Sequence, residues 1–136
     1  MARLHVLAVA ARLPAWAEAA CAEYARRMPR GYEISRVAVK DDEALRSFLL
    51  KSKARRVALD ERGDDLTTAQ FAKLLAQETV FAIGGADGLP QDVKRDAQRT
   101  VRLSSMTLPH ALAQVVLVEQ LYRSATLLTG HPYHRA

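Results

Sequence analysis

The sequence predicts an α/β fold, a mostly parallel sheet flanked by helices. Three observations lead there. Short apolar runs alternate with helical repeats along the whole chain. One run, TVFAI (79–83), carries no charge at any position, as a strand buried on both faces requires. The chain has 136 residues, 49% hydrophobic and 26% charged, which suits one packed domain over 1–136.

The elements follow in order. LHVLAVA (4–10) reads as a buried strand. Pro14 then opens a helix with Ala17, Cys21, Tyr24 and Met28 on one face. YEISRVAVK (32–40) alternates and predicts the second strand. The next helix places Leu45, Phe48 and Leu49 together, with Asp41 as its N-cap. RRVALD (55–60) predicts the third strand, and DERGDD (60–65) a loop after it. Thr67 and Gln70 have capping-box spacing, with Leu66 and Phe71 placed as a hydrophobic staple. TVFAI is the fourth strand, residues 90–98 a short helix, and TVRLS (100–104) the fifth strand. A long helix follows Pro109 and stops at Gly130, with Pro132 preventing its resumption. Its first half, 111–118, is apolar nearly all round, which predicts burial on more than one side or a subunit contact.

Composition narrows the function classes. The net charge is +5, a mild lean toward polyanionic partners. Basic residues gather at 26–30, at 51–56 and around Arg99 and Arg102, and each cluster also reads as a solvated face. A single cysteine, Cys21, forms no internal disulfide, which points to a cytoplasmic setting. The apolar stretch 111–128 contains Gln114, Glu119, Gln120 and Arg123, so it is not a membrane span.

In parallel sheets, ligands bind beyond the carboxyl ends of the strands. Three loops belong there: DERGDD (60–65), GGADG (84–88) and SSMTLPH (104–110). GGADG offers backbone N–H groups free of side chains, but lacks a P-loop lysine and the dinucleotide fingerprint. SSMTLPH shows no nucleophile with a base beside it. His110, His131 and His134 have poor metal-ligand spacing, so no metal is expected. His110 reads as a helix-start residue satisfied by backbone. The tail, HPYHRA (131–136), concentrates groups that move protons or meet anions.

IGGADGL (83–89), LSSMTLPHALAQVVLVEQLYRS (103–124) and HPYHRA (131–136), in that order, resemble the bacterial large-subunit rRNA pseudouridine N3-methyltransferase family, RlmH, of the SPOUT superfamily. The opening strand and helix are similar too. The resemblance implies a carboxyl-terminal trefoil knot, a homodimer built on the last helix, and S-adenosylmethionine held by backbone in the knot loops. It implies cofactor contacts at Leu59, Gly84, Leu103, Ser104, Ser105, Met106, Thr107 and Leu108. It implies as substrate 23S rRNA in the assembled ribosome. The chain departs from the family in its shortened connections, which lack a lysine-rich loop, and in Asp87 where Glu is more usual.

Methylating N3 of a uracil-like base requires loss of its proton and stabilisation of the charge left on the ring. The tail supplies candidates: His134 as base, Arg135 as electrostatic partner, and Tyr133 to stack on or bond the base. A tail of this kind is expected to order only when RNA arrives. The alternative reading is a SPOUT-fold cofactor- or RNA-binding protein that has lost or changed its rRNA target.

Overall fold

The computed structural model describes residues 2–10 and 12–135; Ala136, the end of the predicted tail, lies outside them. Five strands form one sheet in the order β2-β1-β4-β3-β5. They are β1 (Ala2–Val9), β2 (Tyr32–Val39), β3 (Arg55–Asp65), β4 (Thr79–Ile83) and β5 (Arg99–Arg102). Every neighbouring pair is parallel. The helices are α1 (Ala15–Arg26), α2 (Asp42–Lys51), α3 (Thr68–Ala72), α4 (Gln91–Asp96) and α5 (His110–Thr129). A 3₁₀ turn (Lys73–Ala76) continues α3, and another (Pro132–Arg135) follows α5. Among the described residues, no helix is long and apolar enough to cross a membrane.

The period of two along each strand divides the core. On one face, Leu4, Val6, Val57, Phe81 and Val101 meet Cys21 of α1, Phe71 of α3 and Leu117, Val118 and Leu121 of α5. On the other, Leu7, Ala58, Val80 and Ala82 meet Leu45 and Leu49 of α2 and Val93 of α4. β4 is central and buried at all its positions, as its uninterrupted apolar run predicts.

Local chemistry sets the helix ends. Prolines 14, 90 and 109 occupy the N-cap positions of α1, α4 and α5 with ψ of 153°, 149° and 152°. That extended geometry launches the helix without leaving an unpaired N–H behind. Asp41 caps α2 by accepting from the Ala44 N–H at 2.9 Å. The Thr67–Gln70 capping box is reciprocal, at 3.1 and 2.9 Å, and Leu66 packs into the cluster that holds Phe71. Gly130, at φ 79°, ends α5 in the left-handed region.

Two expectations are corrected. DERGDD is not a free loop: β3 continues to Asp65 along β5. The tail, expected to order only when RNA arrives, forms without RNA a 3₁₀ turn over Pro132–Arg135 against α5, because the Tyr133 hydroxyl bonds Glu119. Thr67→Ala removes one half of the capping box. It should lower stability by about 1 kcal/mol, read as a fall in the urea midpoint with unchanged slope.

Candidate cofactor cleft and carboxyl-terminal tail

Ile83, Leu59 and Val101 lie side by side on β4, β3 and β5. Beyond that line the three strands release their loops on one edge. The loops enclose a cleft of about 520 Å³, lined by Leu59–Arg62, Ile83–Gly88, Lys94, Thr107, Leu108, His110 and Ala113. A smaller lobe of about 130 Å³ shares Leu59, Ile83 and Leu108 and adds Leu103, Ser104 and Met106. Seven of the eight residues expected at a cofactor site thus line one or other of two adjoining cavities. Ser105 lines neither lobe and is exposed. Asp60, Glu61 and Lys94 were not singled out, although the loop containing the two carboxylates was.

The residues after Leu59 are held by pairing to β5. Leu59 and Asp64 both pair with Val101, so residues 60–63 bulge out between them toward the cleft. Gly63 permits this approach, because a Cβ there would stand 2.7 Å from the Val101 backbone. Arg99–Asp64 at 3.0 Å and Arg102–Asp65 at 3.3 Å brace the return. Asp60 is fixed by the Arg62 N–H at 3.0 Å and by Lys94 Nζ at 3.4 Å.

GGADG closes on itself. The Gly88 N–H donates to the Gly85 carbonyl at 3.0 Å, with Gly88 at φ 78°. A Cβ on Gly84 would stand 2.6 Å from the Gly88 carbonyl oxygen and nearer still to the Leu89 nitrogen. Glycine at position 84 is therefore demanded by the turn's own backbone. At the start of α5, His110 is satisfied by the side chain of buried Gln114 at 2.8 Å rather than by backbone. His110 lines the cleft, while His131 and His134 meet at the tail turn. Among the described residues, no group of three or more His, Cys, Asp or Glu is placed to hold a metal.

The tail docks on the later turns of α5. The His131 N–H donates to the Thr126 carbonyl at 2.9 Å. Within the turn, His134 Nδ1 meets the His131 carbonyl, and the Tyr133 N–H donates to His131 Nδ1 at 3.2 Å. The Tyr133 hydroxyl donates to Glu119 at 2.9 Å and lies 3.5 Å from the Tyr24 hydroxyl. Its ring sits 4.5 Å from that of Tyr122, with the Arg123 guanidinium 4.9 Å from its centre. Burial, then the bonds to Tyr24 and Glu119, push the phenol well above the usual tyrosine value. Tyr133 stays a neutral donor at physiological pH. Arg135 is exposed.

The glycine geometry separates two substitutions. Gly84→Ala should distort the turn, lowering the melting temperature and weakening any ligand in the cleft together. Gly85→Ala, whose Cβ would sit 3.4 Å from Val9 Cγ1, should leave the melting temperature nearly unchanged. Thermal melts of both variants check this.

A family profile described as "Predicted SPOUT methyltransferase" matches residues 2–134. Relatives named Ribosomal RNA large subunit methyltransferase H occur in Dechloromonas aromatica, 42% identical over 153 aligned positions, covering 98% of each chain, and in Polynucleobacter asymbioticus, 46% identical over 145 positions, covering 98% of this chain and 99% of the relative. A solved RNA methyltransferase from Bacillus anthracis, itself named by inference, superposes with a TM-score of 0.59 at 16% identity, over 91% of this chain and 94% of that one. The SpoU methyltransferase AviRb of Streptomyces viridochromogenes, solved with AdoMet, gives 0.53 at 15% identity, over 90% of this chain and 57% of that one. Strand order β4-β3-β5, with α4 on one face and α5 returning over the other to α3 and α1, makes up the half of the sheet that carries the cleft. The chain belongs to the SPOUT methyltransferase family.

Proposed function

We propose that this protein transfers the methyl group of S-adenosylmethionine to N3 of a pseudouridine in 23S rRNA of the assembled ribosome. The observation that carries the reading is the cleft: three loops of the knot meet around one space, in a chain that matches named rRNA methyltransferases over nearly their full length.

The residues present fit the cofactor. The volume of about 520 Å³ lies within the range of small-molecule sites, roughly 300–1,000 Å³. Leu59, Ile83, Leu103 and Leu108 offer an apolar slot for a flat base. Backbone at 84–88 and 103–108 offers donors and acceptors at its edges. Asp60 and Glu61 bring negative charge for hydroxyls and for a cationic centre. When bound, the cofactor supplies an electrophilic methyl group. The chain's part is to hold donor and base in line and exclude competing water.

The tail is the proposed source of acid–base chemistry. With His134 Nδ1 donating to the His131 carbonyl, Nε2 keeps its lone pair and can accept the N3 proton. Arg135 can stabilise the negative charge that develops on the ring. Deleting 133–136 should leave S-adenosylmethionine affinity nearly intact and slow methyl transfer to ribosomes by roughly 10² or more. Calorimetry and a tritium-methyl ribosome assay read the two quantities. Transfer at the wild-type rate by the truncated chain would overturn the tail's role.

The homodimer belongs to the same proposal. From His110 to Glu119 α5 rises about 14 Å, so the tail docks well along the helix from its own chain's cleft. A second copy can bring a tail to each cleft. Trp16 at 56% exposure and Leu112 at 36% leave apolar surface at the starts of α1 and α5. Leu112→Asp should convert the dimer to a folded monomer with reduced transfer. Sedimentation of wild-type protein as a monomer at micromolar concentration would remove this part.

A second reading, a SPOUT-fold binding protein without this rRNA target, draws on the engaged basic residues. Arg26 and Arg27 pair with Glu23, and Arg99 and Arg102 with Asp64 and Asp65. Cofactor binding without ribosome methylation would favour it.

A further inference from the structure

The tail's internal bonds shape its turn, but Tyr133 attaches that turn to the body. Its hydroxyl reaches Glu119 on α5 and lies near the Tyr24 hydroxyl on α1. Its ring is flanked by Tyr122 and the Arg123 guanidinium. To stack on a substrate base, Tyr133 would have to leave these contacts.

Glu119 is itself held in place. Arg123 Nε donates to the same Oε2 at 3.1 Å, and Gln120 Nε2 donates to Oε1 at 2.9 Å. Gln120 in turn accepts from the Thr68 hydroxyl at 3.0 Å. Thr68 opens α3, the helix that follows β3. An unbroken series of bonds therefore runs from the start of α3 through Gln120 and Glu119 to the tail. A carboxylate fixed by two donors is a rigid acceptor, and a hydrogen bond to a charged acceptor is stronger than a neutral one.

We propose that Glu119 is a positioning residue, which through the Tyr133 hydroxyl holds the tail so that His134 and Arg135 face substrate. Tyr133 then works as the tail's anchor and not as a contact to the methylated base. The proposal rests on the methyltransferase reading for its kinetic consequence, but not for the docking itself. The upward-shifted pKa of the Tyr133 phenol, caused first by burial, supports it, since a neutral hydroxyl can donate to Glu119 through the physiological range.

The test uses the full-length protein with three variants. Tyr133→Phe keeps the ring and removes the donor. Glu119→Ala removes the acceptor. Glu119→Gln keeps an acceptor oxygen in nearly the same place. Nitrogen-15 relaxation should show residues 131–135 as ordered as the helix in wild type and in Glu119→Gln. The same residues should become mobile in Tyr133→Phe and Glu119→Ala. In ribosome methylation, Tyr133→Phe and Glu119→Ala should each lower kcat by about tenfold, the scale of one hydrogen bond to a charged group, with unchanged KM for S-adenosylmethionine. The double variant should lose no more than either single one. Glu119→Gln should retain most of the wild-type kcat. Additive losses, an ordered tail in Tyr133→Phe, or a rise in kcat on breaking the bond would each overturn the proposal. If wild-type protein leaves ribosomes unmethylated, the functional reading falls, and the relaxation data still decide whether Glu119 docks the tail.

Discussion

The candidate site depends on one line of contact: Ile83, Leu59 and Val101, in register on three parallel strands. Parallel pairing sends every chain out of the sheet at the same edge. Because these three residues are level and buried, the 60–63 bulge and the segments that follow Ile83 and Arg102 start at nearly the same height. Their loops therefore meet instead of diverging. The apolar side chains on this line also bind β3 to the face covered by α3 and α5. A shift of β5 by one residue would turn Val101 to the opposite face and pull the 103–108 segment off the cleft.

Chemistry is divided between backbone and side chains along the molecule. The smaller lobe is walled mainly by apolar side chains, and the main cleft by glycine backbone and apolar groups together with charged side chains at 60, 61, 62, 87 and 94. Backbone walls need close approach, and Gly63 and Gly84 supply it where a Cβ would strike neighbouring main chain. The tail is the reverse: its backbone forms only a short turn, and its side chains carry the proton-active groups. One element, α5, supports both. Its first turn reaches the cleft through His110 and Ala113, and its later turns bind the tail through Glu119, Tyr122 and Arg123. A rigid helix is suited to keeping two such regions in fixed relation.

Local features were legible because they are decided by neighbours in sequence. Asp41 caps α2 through Ala44 three residues on, and Thr67 and Gln70 cap each other. The central place of β4 followed from its lack of polar positions. The continuation of β3 past Asp60 was not legible. Asp60 to Asp65 look like turn residues, and their pairing with β5 is set by strands distant in sequence; Gly63 is the trace such a pairing leaves. The knot had no periodic signature and came only through resemblance of 83–89, 103–124 and 131–136. The docking of Tyr133 was hidden for a similar reason. Glu119 reads as a polar interruption in an apolar helix, and nothing in its spacing says that it meets a residue beyond the helix end.

Many of the arginines are engaged within the protein, although pairing leaves the net charge of +5 unchanged. Arg36 is held by Glu18 at 2.7 and 2.9 Å, Arg46 by Asp92 at 3.0 Å, and Arg55 and Arg56 donate to carbonyls of Leu74 and Leu49. Surface ion pairs add little stability, about 0–1 kcal/mol each, but they do change what a surface offers to a polyanion. A guanidinium already engaged by a carboxylate must lose that partner before it can neutralise a phosphate. The alignment with the D. aromatica relative spans 153 positions against 136 residues here, so that relative carries residues with no counterpart in this chain. The engaged arginines at 26, 27, 36, 46, 99 and 102 would therefore contribute to RNA binding only by exchanging one anionic partner for another. On the proposed ribosomal substrate, such exchanged contacts would position the RNA, and discrimination would come from its shape.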